Sequence, residues 1–222
     1  WALEDFAQPE VREYIGKIFE DICQRYDIDG IELDFIRAPL FFRSNMEGLP
    51  ATPAEVAMMT DMVRKIRAMT ERVALERGRP ILVVVRAPLS VASCLAIGLD
   101  IPAYLKEGLM DILIAGQDYV QMGVASELKD MVDLGHKYDV PVYALIVPPK
   151  PYALYRNDDR AWWGAVMNRW YWGADGIYIF NLFPASPDKK FSEFGSPETL
   201  KGLDKIYSID NPAEEAILGG FK

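Results

Sequence analysis

The sequence predicts an α/β protein built around a parallel sheet. Three observations carry that reading. Five short apolar segments rich in Val, Ile and Leu begin near residues 30, 80, 110, 140 and 175, and helical periodicity follows each of them. Such regular βα units imply parallel strands joined by right-handed crossovers. Polar residues stand at the C-terminal ends of several strands: Asp34 and Arg37, Arg86, Gln117 and Asp118, Asn181. No G-x-G-x-x-G or G-x-x-x-x-G-K-[ST] follows any strand, which removes the usual nucleotide-binding reading of an open, doubly wound sheet. The pattern therefore points to a (β/α)8 barrel, whose active sites are built at the strand C-termini. A complete barrel takes about 250 residues and eight strands. The 222 residues show five strands and open on Trp1, without an initiator Met. The expectation is that only the later five βα units, strands four to eight, are present, with residues 1–210 as partial barrel and 211–222 as a tail.

Residues 9–26 place Val11, Ile15, Ile18, Phe19, Ile22 and Tyr26 at helical spacing, with Pro9 suited to the first turn. Asp27-Ile28-Asp29-Gly30 turns into a strand at Ile31–Phe35. Thr52-Pro53-Ala54-Glu55 is a capping box and predicts a long helix over 53–77, stopped by Gly78. Pro80–Ala87 reads as a strand buried on both faces. Asp100 caps a short helix over 101–106, and Met110–Ala115 is the third strand. A helix over 124–138 carries His136 near its end, where a cation suits the dipole. Val140–Val147 is the fourth strand. Asp158 or Asp159 caps a helix through Trp172, Gly176–Phe180 is the fifth strand, and residues 197–206 form a closing helix.

Composition narrows the function. The chain holds 24 basic and 33 acidic residues, a formal charge of −9, which argues against nucleic-acid and anionic-membrane partners. No apolar run approaches the length of a membrane span. The single histidine, His136, excludes most Ser-His-Asp and multi-histidine metal chemistry and leaves acid–base work to carboxylates, Tyr or Lys. Cys23 and Cys94 have no paired histidine and read as structural. Lys150, in a Pro-rich loop, reads as solvated rather than as a Schiff-base lysine. No cofactor is called for.

The most informative segment is Asp29-Gly30-Ile31-Glu32-Leu33-Asp34-Phe35-Ile36-Arg37. Side chains alternate across a strand, so Glu32 and Asp34 share one face and Ile31, Leu33 and Phe35 the other. Two carboxylates so placed repel, and at least one should hold its proton more tightly unless Arg37, Arg43 or Arg86 compensates. A divalent metal held by the two acids is an alternative use of the same pair.

DGIELDF resembles the strand-four signature of (β/α)8 glycoside hydrolases. Its wording is similar to the chitinase-type D-G-x-D-x-D-x-E, with Asp29, Gly30, Glu32 and Asp34 in place and Ile36 where the final acid would stand. The chain also resembles a group of uncharacterised glycoside-hydrolase-like barrel proteins. It shares with them Pro9-Glu10-Val11-Arg12, the stretch from Arg25 to Arg37, Gly98-Leu99-Asp100, Glu107-Gly108-Leu109 and Asp111-Ile112-Leu113.

The resemblance implies hydrolysis of glycosidic bonds of an oligo- or polysaccharide by two carboxylates. Asp34 is then the expected nucleophile or base, Glu32 orients it or binds a sugar hydroxyl, and Asp118 is the expected general acid, with Glu47 as another option. Arg37, Arg86 and Asn181 are expected to grip substrate. Phe41, Phe42 and Tyr119 are expected to line the site as stacking surfaces. The tryptophans of the helix ending at Trp172 are expected in the core or at an interface rather than as a sugar platform. The carbohydrate substrate would be the partner, together with a second copy or the missing barrel half, in an extracellular or periplasmic setting. A non-catalytic carbohydrate-binding or structural barrel, and a metal-dependent hydrolase or lyase, are the competing expectations.

Overall fold

The computed structural model describes residues 3–36, 38–116, 125–146, 158–180 and 189–207. Its five strands are β1 (Gly30–Asp34), β2 (Leu82–Ala87), β3 (Ile112–Ala115), β4 (Val142–Ile146) and β5 (Gly176–Ile179). They form one wholly parallel sheet in the order β1-β2-β3-β4-β5. Spatial order follows chain order without reversal, so the sheet has no switch point of the doubly wound kind. Crossovers of one hand then lay the helices on one side.

Four longer helices do most of this packing: α1 (Pro9–Arg25), α3 (Pro53–Arg77), α6 (Ala125–His136) and α7 (Asp159–Tyr171). The short ones are α2 (Arg43–Met46), α4 (Val91–Ala96), α5 (Ile101–Lys106), α8 (Lys189–Phe194) and α9 (Pro197–Lys201). α3 begins with the predicted box: Thr52 accepts from the Glu55 amide while Glu55 accepts from the Thr52 amide, and Pro53 follows. It ends at Gly78, whose φ of 75° is the left-handed cap that glycine adopts freely. Asp158, not Asp159, caps α7. The closing helix stops at Lys201 instead of 206, where Lys205 turns back to the carbonyls of Leu200 and Leu203. No helix among the described residues is long and apolar enough to cross a membrane.

Alternation divides the sheet. Ile31, Leu33, Val83, Val85, Leu113, Val142 and Ala144 point to the helices and join Met59, Val63 and Ile66 of α3, Tyr104 of α5 and Met131 of α6 in one core. The other face carries Glu32 and Asp34, Val84 and Arg86, Ile112 and Ile114, Tyr143 and Tyr178. Register places Asp34, Arg86, Ile114, Tyr143 and Gly176 in a single row across all five strands. This face is concave. The Tyr178 hydroxyl on β5 lies 2.9 Å from the Glu32 carboxylate on β1, although four strand spacings in a flat sheet would separate those edges by about 19 Å.

β2, β3 and β4 each begin two residues after their expected starts, and β5 begins at Gly176 as expected. Asp111 precedes β3, donates its amide to the Val83 carbonyl and accepts the Val83 amide on its own side chain at 2.7 Å. Asp175 makes the same pair of bonds to Val142 ahead of β5. A side-chain carboxylate thus takes the place of a backbone partner at the foot of the sheet. Arg67 of α3 grips Asp111 with two bonds, and His136 of α6 lies 2.8 Å from Asp175. His136 has this partner in addition to its place at a helix end.

Candidate functional site

The polar groups of the concave face gather near the C-terminal ends of β1, β2 and β5. Asp34 is the last residue of β1, and its side chain makes two separate bonds. One oxygen accepts the Ile36 amide at 2.9 Å, a local turn that ends the strand, and the other accepts Arg86 Nη1 at 2.8 Å. Arg86 is fully buried, whereas about a third of the Asp34 side chain meets solvent. The guanidinium carbon lies 3.9 Å from the centre of the Phe180 ring and 5.7 Å from that of Tyr178. A charge is tolerated among the valines of β2 because a carboxylate and two aromatic rings receive it.

Glu32 stands one pleat below Asp34 and accepts the Tyr178 hydroxyl on Oε1. Burial raises its pKa above the ordinary glutamate value. The neighbouring Asp34 charge adds to that effect, while the Tyr178 bond and Arg86 oppose it without cancelling it. Burial, reinforced by the carboxylate it bonds, pushes the Tyr178 phenol up to about 12. Two acids on one strand therefore occupy unlike surroundings: Asp34 is ion-paired at the rim, and Glu32 is a deeper acid that holds its proton more tightly than an exposed glutamate.

The structure brings Glu32, Asp34 and Arg86 together. Phe42 is a correction: it is 1% exposed, with its ring against Gly98, where even a Cβ would meet it at 2.7 Å. Phe41 is likewise buried, edge-on to Phe6 and Phe35. Two phenylalanines after an acidic strand end are core residues here, and Asn45 of the same segment donates to the Ala96 carbonyl at the end of α4. Glu47 is not free to act as an acid on the sheet either, since it pairs with Arg43 on the exposed side of α2. That pairing also removes Arg43 from the list of cations compensating Glu32 and Asp34. Arg37, Gln117, Asp118, Tyr119, Lys150 and Asn181 lie outside the described residues.

Sequence reasoning missed Tyr178 and Phe180. The signal was present in Gly176-Ile177-Tyr178-Ile179-Phe180, where alternation sets the two rings on one face with a glycine beneath them. Tyr143 occupies the space above that glycine, and a Cβ on Gly176 would meet its ring at 2.8 Å. Among the described residues, no three His, Cys, Asp or Glu side chains gather as a metal-binding group. Cys23 and Cys94 are buried free thiols, and burial pushes Cys94 up to about 12, far from a reactive thiolate.

No protein-family model matches the chain, and no curated protein does. Among solved structures it is similar to a glycoside hydrolase family 18 N-acetylglucosaminidase from Paenibacillus barengoltzii, at 15% identity and a TM-score of 0.45, over 64% of this chain and 46% of that one. A chitinase from Bacillus thuringiensis aligns at 12% identity and a TM-score of 0.45, over 64% of this chain and 26% of the chitinase. A dimeric Rubisco from Hyperthermus butylicus gives 15% identity and a TM-score of 0.46, over 79% and 36%. The chain spans less than half the length of each. At such TM-scores these likenesses assign neither family nor activity.

Proposed function

We propose that the chain forms one side of a (β/α)8 barrel, its strands four to eight, and that it hydrolyses glycosidic bonds of an oligo- or polysaccharide by carboxylate chemistry. The observation that carries this reading is the pairing of Glu32 and Asp34 on one inward strand face, in unlike environments, at the C-terminal end of a curled parallel sheet. A general acid is favoured where the surroundings raise the proton affinity of a carboxyl group. Glu32 is suited to hold a proton for a leaving oxygen. Asp34 is suited to act as nucleophile or base, with Arg86 fixing its orientation. The DGIELDF resemblance supports this role for Asp34, but it implies Asp118 as the general acid, with Glu32 orienting Asp34 or binding a sugar hydroxyl.

The reading is tested on a panel of aryl glycosides and polysaccharides, with reducing-sugar release and sugar binding both measured. Asp34→Asn should lower turnover by about 10²- to 10⁴-fold while leaving binding in place. Unchanged turnover in that variant would sink it.

One observation favours a second reading, a carbohydrate-binding barrel without catalysis. Both Asp34 oxygens are already engaged, by Arg86 and by the Ile36 amide. Saturable sugar binding by the wild type with no hydrolysis of any substrate would select it.

A further inference from the structure

The bond between Tyr178 and Glu32 joins the two edge strands of a five-stranded sheet across its concave face. It is made by a residue to which the hydrolase reading gives no part. Glu32 accepts the Tyr178 hydroxyl on Oε1, and among the described residues no hydrogen bond is made to Oε2. The Tyr178 ring is itself steadied by the Arg86 guanidinium, and that guanidinium is held at its other end by Asp34. The chain of contacts runs Glu32, Tyr178, Arg86, Asp34, and so links the two acids by a route other than their own strand.

We propose that Tyr178 is a positioning residue for Glu32: its hydroxyl occupies Oε1 and leaves Oε2 as the oxygen that carries the proton and faces the substrate. The proposal deepens the hydrolase reading and, for its catalytic consequence, rests on it. The charged and titratable groups that bear on Glu32 among the described residues are Tyr178 from β5, Asp34 from β1 and Arg86 from β2. Of these, Tyr178 alone donates to it. A hydroxyl donating to a carboxylate favours the ionised form, so removing the donor makes Glu32 release its proton at higher pH.

The test is Tyr178→Phe, which keeps the ring beside Arg86 and deletes only the donor. The Glu32 carboxyl is followed by carbon-13 NMR titration in the full protein, alongside kcat and KM on an aryl glycoside. The titration midpoint should move to higher pH. The pH optimum should move with it, and kcat should fall by about tenfold with little change in KM, as for a misoriented catalytic group.

A folded variant whose Glu32 midpoint stays in place would overturn the proposal whatever its activity. A moved midpoint in a protein that hydrolyses no glycoside would uphold the hold of Tyr178 on Glu32 and remove the hydrolase reading instead. If Tyr178→Phe does not fold, replacement of tyrosine throughout by 3-fluorotyrosine tests the same bond in the native chain. The more acidic phenol donates more strongly, and the Glu32 midpoint should move to lower pH; an unmoved midpoint again counts against the proposal.

Discussion

Burial gives Glu32 a higher proton affinity in the folded protein than in the unfolded chain. Between the ordinary glutamate value of about 4.3 and its raised value, the folded state keeps a proton that the unfolded state has lost. Linkage then makes stability fall as pH rises through that window, and leaves it unaffected below the window. Glu32→Gln abolishes the titration and keeps an oxygen for Tyr178. The variant and the wild type should match in urea midpoint in acid, and the variant should become progressively the more stable as pH rises. A difference that stays constant or shrinks would show that Glu32 is not perturbed. Arg86 makes the complementary case. Arg86→Met strands Asp34 beside an apolar surface and should cost about 2–3 kcal/mol, at the low end for an orphaned charge because Asp34 retains contact with solvent. Adding Asp34→Asn should recover part of that loss, as a double-mutant cycle would read.

The same balance of side chain against backbone operates in the elements. Thr52→Ala removes the cap of α3 and should cost about 1 kcal/mol. Asp111→Ala should cost more, about 2–3 kcal/mol, since it leaves the Val83 amide without its acceptor and the Arg67 guanidinium with Glu71 alone. Thermal melts of the two variants would rank them, and the opposite order would show that Asp111 is replaceable by water. These two sites also mark what the sequence made legible. The cap of α3 is local chemistry written in consecutive letters, so the helix over 53–77 was predicted with its true ends. The five strands were predicted from their branched residues, and Glu32 and Asp34 from alternation. Asp111 and Asp175 act on residues 28 and 33 positions away. Their bonds, and with them the true start of β3, follow only once neighbouring strands are aligned. The burial of Phe42 and the reach of Tyr178 to Glu32 depend likewise on a loop path and a sheet curvature that no local pattern encodes.

At the scale of the molecule, two apolar clusters share one sheet. The larger lies over β1 to β4 with α3, α5 and α6, and the smaller joins Ile146 to Trp162, Val166, Phe194 and Leu200 of α7, α8 and α9, with Ile177 and Ile179 of β5 against it. The candidate site straddles them, with Glu32, Asp34 and Arg86 on the strands of the first and Tyr178 and Phe180 on or just beyond the strand of the second. The smaller cluster is closed by the segment after α9, where the Ile206 amide bonds the Arg160 carbonyl and the backbone runs over Gly164. A Cβ at Gly164 would lie 2.4 Å from the Ile206 carbonyl oxygen, so one of the two backbones must move. Gly164→Ala should therefore cost about 1–3 kcal/mol. Hydrogen exchange should quicken in α7, α9 and β5 and remain slow in β2 and β3, since local opening follows cooperative units. Because β5 holds Tyr178 in place, the loosened variant should also weaken the hold on Glu32 and shift its titration, though Gly164 contacts no group of the site. Uniform acceleration across the whole sheet would show instead that the two clusters unfold as one.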